Sequence, residues 1–283
     1  MNDQIVDITV VVPARNAAHL LHECLGSVRS NGAAELIVVD GNSTDATVQI
    51  AAQYGATILS DNGRGLPVAR AWGARAASSR HVMLLDADVI LPDGSLVALL
   101  EEFEREQYDG LQAGLYSVAD GGYWGQALAY HHRTGRSKNW FGLVATIFER
   151  DFLLEHGFDE RFVSGEDIEM RWRLREGGAK TGVSREVQVT HRFADDSFGF
   201  ALGQFRADGE GLGRMVRKHK LGGLRLLALP GAGAIRGVML SLVRRQPRWI
   251  PYFLTFGTMN YVSMIKGIFE RASDTSRGAP QSA

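Results

Sequence analysis

The chain has 283 residues, of which 45% are hydrophobic and 22% charged, a mix that allows a sizeable core in one large or two ordinary domains. Small disulfide scaffolds and disordered, highly charged chains are excluded. The formal net charge of −1 hides an asymmetry: residues 1–210 carry 30 acids against 19 bases, whereas residues 211–269 carry ten Lys or Arg and no Asp or Glu. A basic stretch of this kind suits nucleic acid or an anionic membrane, and the large apolar residues between its charges favour the membrane.

From the N-terminus, MNDQIVDITVVV has Asp3 and Asp7 but no Lys or Arg before its apolar run. It lacks the basic leader of a secretion signal, so the N-terminus is expected to stay in the cytoplasm. Residues 5–12 and 35–39 are β-branched runs that read as strands. Between them, residues 17–30 space Leu20, Leu21, Cys24, Leu25 and Val28 as one face of a helix. Cys24 has no second cysteine to pair with, and a buried thiol in a reducing compartment fits. The pattern continues with a helix over 45–54, a strand near 56–60, a helix over 67–78 and the strand HVMLLD at 81–86. Strands separated by helices predict a parallel sheet covered on both faces. Ligands of such sheets collect at the carboxyl ends of the strands, here residues 13–16, 40–45, 61–65 and 86–88. A helix over 92–107, strands in DGLQAGLYSV and FGLVATIFER, a helix over 166–176 and a strand near 186–190 complete this part, with an aromatic, polar stretch at 123–140 of undetermined order. Domain limits are placed at 1–210 for the globular part, 211–271 for the basic and apolar helical segment, and 272–283 for a frayed polar tail.

Five motifs can carry chemistry. Asp86-Ala87-Asp88 follows the apolar strand VMLL, where two carboxylates suit a hard divalent cation that keeps positions open for phosphates, although such a pair also serves as solvated loop or cap residues. In VVDGNSTD, Asp40 ends a buried strand and reads either as an acceptor for a base or ribose or as a turn-stabilising carboxylate, while Asp45 reads as a helix cap. Asn62-Gly63-Arg64-Gly65 with Arg70 offers loop flexibility and guanidinium donors for phosphate. Neither a P-loop nor a dinucleotide fingerprint occurs. Ser164 and Asp167 stand at a helix start, as a capping-box variant or with Asp167 as a general base. His191, just after VQVT, is an ordinary strand-end histidine or a metal donor.

In order and spacing these motifs resemble the family 2 glycosyltransferases of the GT-A fold, from about residue 8 to 193. VVPARN matches the family's first nucleotide-side loop, VVDGNSTD the second, GRGLPVARAWGA its Gly/Arg segment, LLDADVILP its D-x-D strand, and GFDE…GED its acceptor-side motif. The resemblance implies an α/β fold with a Rossmann-like mixed sheet, followed here by a C-terminal basic amphipathic helical segment. It implies that Pro13, Ala14, Arg15, Asn16, Asp40, Arg64, Arg70, Asp86 and Ala87 bind a nucleotide-diphosphate sugar. It further implies that Asp88, with Asp86 and His191, holds Mn2+ or Mg2+, and that Asp167 is the catalytic base of an inverting transfer. The second motif reads Asp40-Gly41-Asn42 where many relatives read Asp-Asp or Asp-Gly-Gly. The Q-x-x-R-W motif of processive synthases is missing, and Arg171-Trp172 lies too close to Asp167 to replace it, so one sugar per encounter is expected.

The C-terminal segment has its longest uncharged run at residues 249–265, at the lower limit for a bilayer span. An earlier run is interrupted by Pro230 and Arg236. Helices lying in the headgroup plane are expected, with packing on the catalytic domain or dimer formation as the alternative. The expected function is single-sugar transfer to a lipid-linked or cell-envelope glycan, peripheral on the cytoplasmic face of the membrane or in the cytoplasm, without nucleic acid. A sugar-nucleotide nucleotidyltransferase and a non-catalytic membrane-attached scaffold are the alternatives.

Overall fold

The computed structural model describes residues 5–135, 140–162 and 164–270. The expected tail over 272–283 lies outside the described residues, which divide into two compact units. The first takes in the described residues within 5–158 and 167–201, and the second those within 159–166 and 202–270.

The first unit holds an eight-stranded sheet ordered β3-β2-β1-β4-β7-β6-β8-β5. Its amino-terminal half alternates β1 (Val6–Ala14), α1 (Ala18–Ser30), β2 (Ala33–Asp40), α2 (Thr47–Gln53), β3 (Thr57–Ser60), α3 (Leu66–Ala76) and β4 (His81–Leu85). These strands pair in parallel, as expected for short β-branched runs joined by helical crossovers. α3 lies tight against β1: a Cβ at Gly73 would come within 2.1 Å of Val11 Cγ1.

The expectation of a parallel sheet fails beyond β4. After β5 (Val89–Ile90) and α4 (Ser95–Glu106) come β6 (Gly110–Val118), α5 (Tyr123–Thr134), β7 (Ala145–Glu149), α6 (Arg150–His156), α7 (Glu166–Glu176) and β8 (Thr181–Arg192). β7 runs antiparallel to both β4 and β6, which gives the mixed sheet that the family resemblance implies. α5 takes up residues 123–134 of the stretch of undetermined order, of which 136–139 lie outside the described residues, and β8 is longer than the strand expected near 186–190. Cys24 is buried in the core on α1.

The second unit includes α8 (Phe198–His219) from Leu202 onward, a 3-10 stretch at Lys220–Ala228, α9 (Leu229–Val243) and α10 (Ile250–Phe269). Glycines let α8 and α10 approach backbone to backbone. A Cβ at Gly213 would lie 2.3 Å from the Met264 carbonyl, and one at Gly267 2.3 Å from that of Glu210. Pro230, expected to interrupt the apolar run, sits in the first turn of α9, where its missing N–H leaves no hydrogen bond unmade. The helical stretch Phe198–Val243 is long and apolar enough to cross a membrane by length and composition, with a window of mean hydropathy 1.7 that is 22% buried. Much of α10 is instead turned inward, with Tyr252, Phe253, Asn260 and Met264 buried.

Candidate active site

The loops after β1, β2, β3 and β4 open at one edge of the sheet because these strands are parallel and in register, Ala14 opposite Asp40 and Val11 opposite Leu84. Asn16 locks the first two loops together. Its N–H donates to Ser43 Oγ at 2.9 Å, and its Oδ1 accepts from the Thr44 N–H at 2.8 Å. Asp45 does more than cap one helix: Oδ1 accepts from the Thr47 N–H and Oδ2 from the Ala18 N–H, so the starts of α1 and α2 share one carboxylate.

Two cavities of about 230 Å3 each lie along this edge. Pro13, Ala14, Arg15, Gly41, Asp61 and Gly65 are among the residues bounding the first. Pro13 and Arg15 also bound the second, with Asn16, Asp86, Ala87 and Asp88. Seven of the sequence-selected residues thus line one continuous edge. Asp40 ends β2 beside Gly41, and both its oxygens accept from the Ser43 N–H at 3.2 Å. The exposed Arg64 lies over the Trp72 ring at 5.6 Å. Arg70 is buried on α3 and turned toward Asp86, with Nη2 2.7 Å from Oδ1. Asp61, which the sequence marks only as part of a loop, organises the Gly/Arg turn by accepting from the N–H groups of Gly63 (2.7 Å) and Gly65 (3.0 Å).

Beyond β4, the register of β5 with β8 pairs Val89 with His191, which brings His191 against Asp88 across more than a hundred residues of chain. His191 Nε2 lies 3.3 Å from Asp88 Oδ2 and Nδ1 lies 3.2 Å from Ser117 Oγ. Ser117 in turn lies 3.4 Å from His132 Nδ1, and the two imidazoles stack with centroids 6.0 Å apart. Burial opposes a charged His191, but the charge and hydrogen bond of Asp88, with Asp86 adding to them, carry its pKa above the ordinary histidine value. His132 is pushed well below it by burial and by the neighbouring His191 and His131. Burial likewise raises the Asp86 carboxyl, aided by Asp88 and opposed by Arg70. Ser117 and His132 escaped the sequence reading because α5 gave no readable periodicity and a serine in a strand carries no signal.

Asp88 Oδ1 is buried and has no hydrogen-bond partner among the described residues. A buried carboxylate oxygen left unpaired is costly, and beside a second cavity it suits a hard cation. Among the described residues no group of three or more His, Cys, Asp or Glu encloses such a position. Asp88 and His191, two donors of suitable chemistry, would be able to hold such a cation.

Asp167 stands in the first turn of α7, half-buried, and among the described residues its carboxylate carries no hydrogen bond or ion pair. Its Oδ2 lies 3.7 Å from where a Cβ at Gly142 would sit. The Gly142 N–H donates to Gln112 Oε1, and Gln112 Nε2 donates to the Trp140 carbonyl. A buried glutamine on β6 thus fixes the backbone facing Asp167.

The profile of the family described as Glycosyl transferase family 2 matches residues 9–154, more than half of the chain, and the chain belongs to that family of glycosyltransferases. Succinoglycan biosynthesis protein ExoA of Rhizobium meliloti (strain 1021) is 24% identical over 259 residues, covering 83% of this chain and 78% of its own. Two further curated relatives are matched over only 31% and 42% of their own lengths. Among solved structures, the mannosyltransferase PcManGT from Pyrobaculum calidifontis, in complex with GDP-Man and Mn2+, superposes with a TM-score of 0.65 at 17% identity, over 95% of this chain and 88% of that one. S. aureus TarS 1-349 in complex with UDP gives 0.55 at 16%, over 94% and 93%. At these identities the likeness is one of fold, the GT-A glycosyltransferase fold.

Proposed function

We propose that the chain transfers a single sugar, with inversion, from a nucleotide-diphosphate donor to a hydroxyl of a lipid-linked or cell-envelope glycan. The observation that carries this reading is the run of cavities from Gly41 and Asp61 to Asp88, ending at a carboxylate oxygen without a hydrogen-bond partner among the described residues. The first cavity suits the nucleotide, with Pro13, Ala14 and Arg15 as its wall and Asp40 and Arg64 at its margin. The second suits the diphosphate and sugar, next to Asn16, Asp86 and Ala87. Arg70 acts on this site through Asp86, which it holds in place.

Asp88 and His191 would hold Mn2+ or Mg2+, which when bound supplies positive charge against the leaving diphosphate. Asp167 accepts the proton of the acceptor hydroxyl as its oxygen forms a bond to the anomeric carbon. The bond from that carbon to the diphosphate oxygen breaks, and the nucleoside diphosphate leaves with the electron pair. Attack from the face opposite the leaving group inverts the centre. Ser117 and His132 stand behind His191 and fix its ring.

Envelope-glycan acceptors are suggested by the name of ExoA, a succinoglycan biosynthesis protein, and membrane attachment by the second unit. There Leu221, Ile235, Met239, Leu242 and Val243 are exposed among Lys220, Arg236, Arg244, Arg245 and Arg248, the composition of a surface meeting anionic headgroups. We place the protein at the cytoplasmic face of that membrane or in the cytoplasm, in keeping with its unpaired cysteine.

A thermal-shift panel of nucleotide sugars, each with and without Mn2+ or Mg2+, tests the reading, because a ligand that binds only the folded chain raises its stability. One donor class is expected to raise Tm in a metal-dependent way and to be turned over to free nucleoside diphosphate. No shift and no turnover with any member would overturn the proposal.

A further inference from the structure

Arg171 lies on α7 one turn beyond Asp167, and its surroundings differ from those of its neighbour Arg173. Every donor group of Arg173 is engaged: Nε bonds Glu169 at 2.8 Å, Nη1 the His156 carbonyl at 2.6 Å and Nη2 the Gly157 carbonyl at 2.9 Å. That arginine is structural. The guanidinium of Arg171 instead stacks on Trp140, 3.7 Å from the ring centroid, and its Nη1 is buried without a hydrogen-bond partner among the described residues. Stacking fixes the plane of the guanidinium without using its N–H donors. The backbone of Trp140 is held by the Gln112 bond to its carbonyl, which anchors the residue under the cation.

An arginine nitrogen taken out of water and given no acceptor costs stability unless a ligand supplies one. The ligand that matches a planar, oriented guanidinium is an oxyanion, a phosphate or a carboxylate. We propose that Arg171 is an acceptor-binding residue, and that the acceptor carries such an anion close to the hydroxyl that reacts. The inference rests on Asp167 being the base. Four residues of helix separate the two side chains by on the order of 6 Å, a spacing that a single sugar ring bearing both hydroxyl and anion spans. A glycosyl phosphate, the end of a lipid-linked acceptor, and a uronate of an acidic polysaccharide share this chemistry.

The test uses the full chain with its donor site filled by saturating UDP or GDP and the metal, so that added phosphates do not compete there. Binding of a glycosyl phosphate, a uronate and the matched neutral methyl glycoside is measured by calorimetry for the wild type, Arg171→Ala and Arg171→Lys. The wild type is expected to bind one anionic sugar about tenfold to a hundredfold more tightly than the neutral one. The phosphate and uronate arms tell which source it is. Arg171→Ala should abolish the preference and Arg171→Lys should retain part of it, with both variants melting as cooperatively as the wild type. Equal binding of neutral and anionic sugars by the wild type, or a preference that survives in Arg171→Ala, would overturn the inference. Failure of the wild type to turn over any nucleotide sugar would instead strike the proposed reaction and leave the binding result to be read by itself.

Discussion

Asp88 lies in the loop after β4 and Asp167 in the first turn of α7, and their surroundings suit them to different proposed roles. Asp167 has no hydrogen-bond partner among the described residues and faces backbone fixed by Gln112, surroundings that leave room for the role of base proposed above. Replacing it with Asn is expected to lower kcat by ~10²- to 10⁴-fold while the donor still raises Tm as in the wild type. Near-normal turnover in that variant would remove Asp167 as the base. Asp88 has one oxygen against His191 and one without a partner. Asp88→Asn removes the charge but not the shape, and is expected to abolish the metal dependence of donor binding in the same thermal-shift assay. These two acids were legible in the sequence because each follows directly on an apolar run or opens a helix. Ser117, His132 and Gln112 were not, because each acts through a partner distant in the chain, and an isolated Ser, His or Gln says nothing of where it will point.

Among the elements, the crossing of α8 and α10 is the most exposed to test. The Gly213 site has no room for a side chain, and the atom it would strike is a backbone carbonyl. Gly213→Val is expected to destabilise by about 1–3 kcal/mol, read as a lower Tm by circular dichroism. An unchanged Tm would mean that the helices do not meet there. In the same unit, Asp159 is held well below the usual carboxylate range, chiefly by its hydrogen bond to Arg161 and also by Lys218, against the opposing effect of burial. Because its folded pKa lies below the unfolded value of 3.8, its contribution is complete above that pH and is lost as the pH falls through the folded value. The Tm gap between wild type and Asp159→Asn should therefore be largest near neutral pH and shrink below about pH 4. A gap that widened in acid would contradict the assignment. The parallel half of the sheet was readable because each strand and helix there carries its own periodicity. The antiparallel insertion of β7 was not, since strand direction depends on the path of the chain through α5 rather than on any residue within the strand.

For the molecule as a whole, the uneven charge bears on the proposed membrane attachment. Residues 211–269, with ten bases and no acid, present exposed apolar side chains such as Leu221, Val243 and Phe269. The full chain is expected to float with vesicles containing anionic phospholipid and to detach as salt is raised past the screening range. Reversing the exposed Arg244, Arg245 and Arg248 to Glu should weaken that binding by roughly 1 kcal/mol or more per residue. Equal flotation with neutral vesicles at every salt concentration would refute an electrostatic contribution. By itself the sequence determined the family, the strand and helix alternation up to Leu85, and the uneven distribution of charge along the chain, because these follow from local periodicity, motif spacing and composition. Only the tertiary structure decided that β8 returns His191 to Asp88, that Arg70 serves Asp86, and that Arg171 lies on Trp140 with a donor unfilled. Such meetings depend on sheet register and on the packing of distant segments, which no local stretch of sequence encodes.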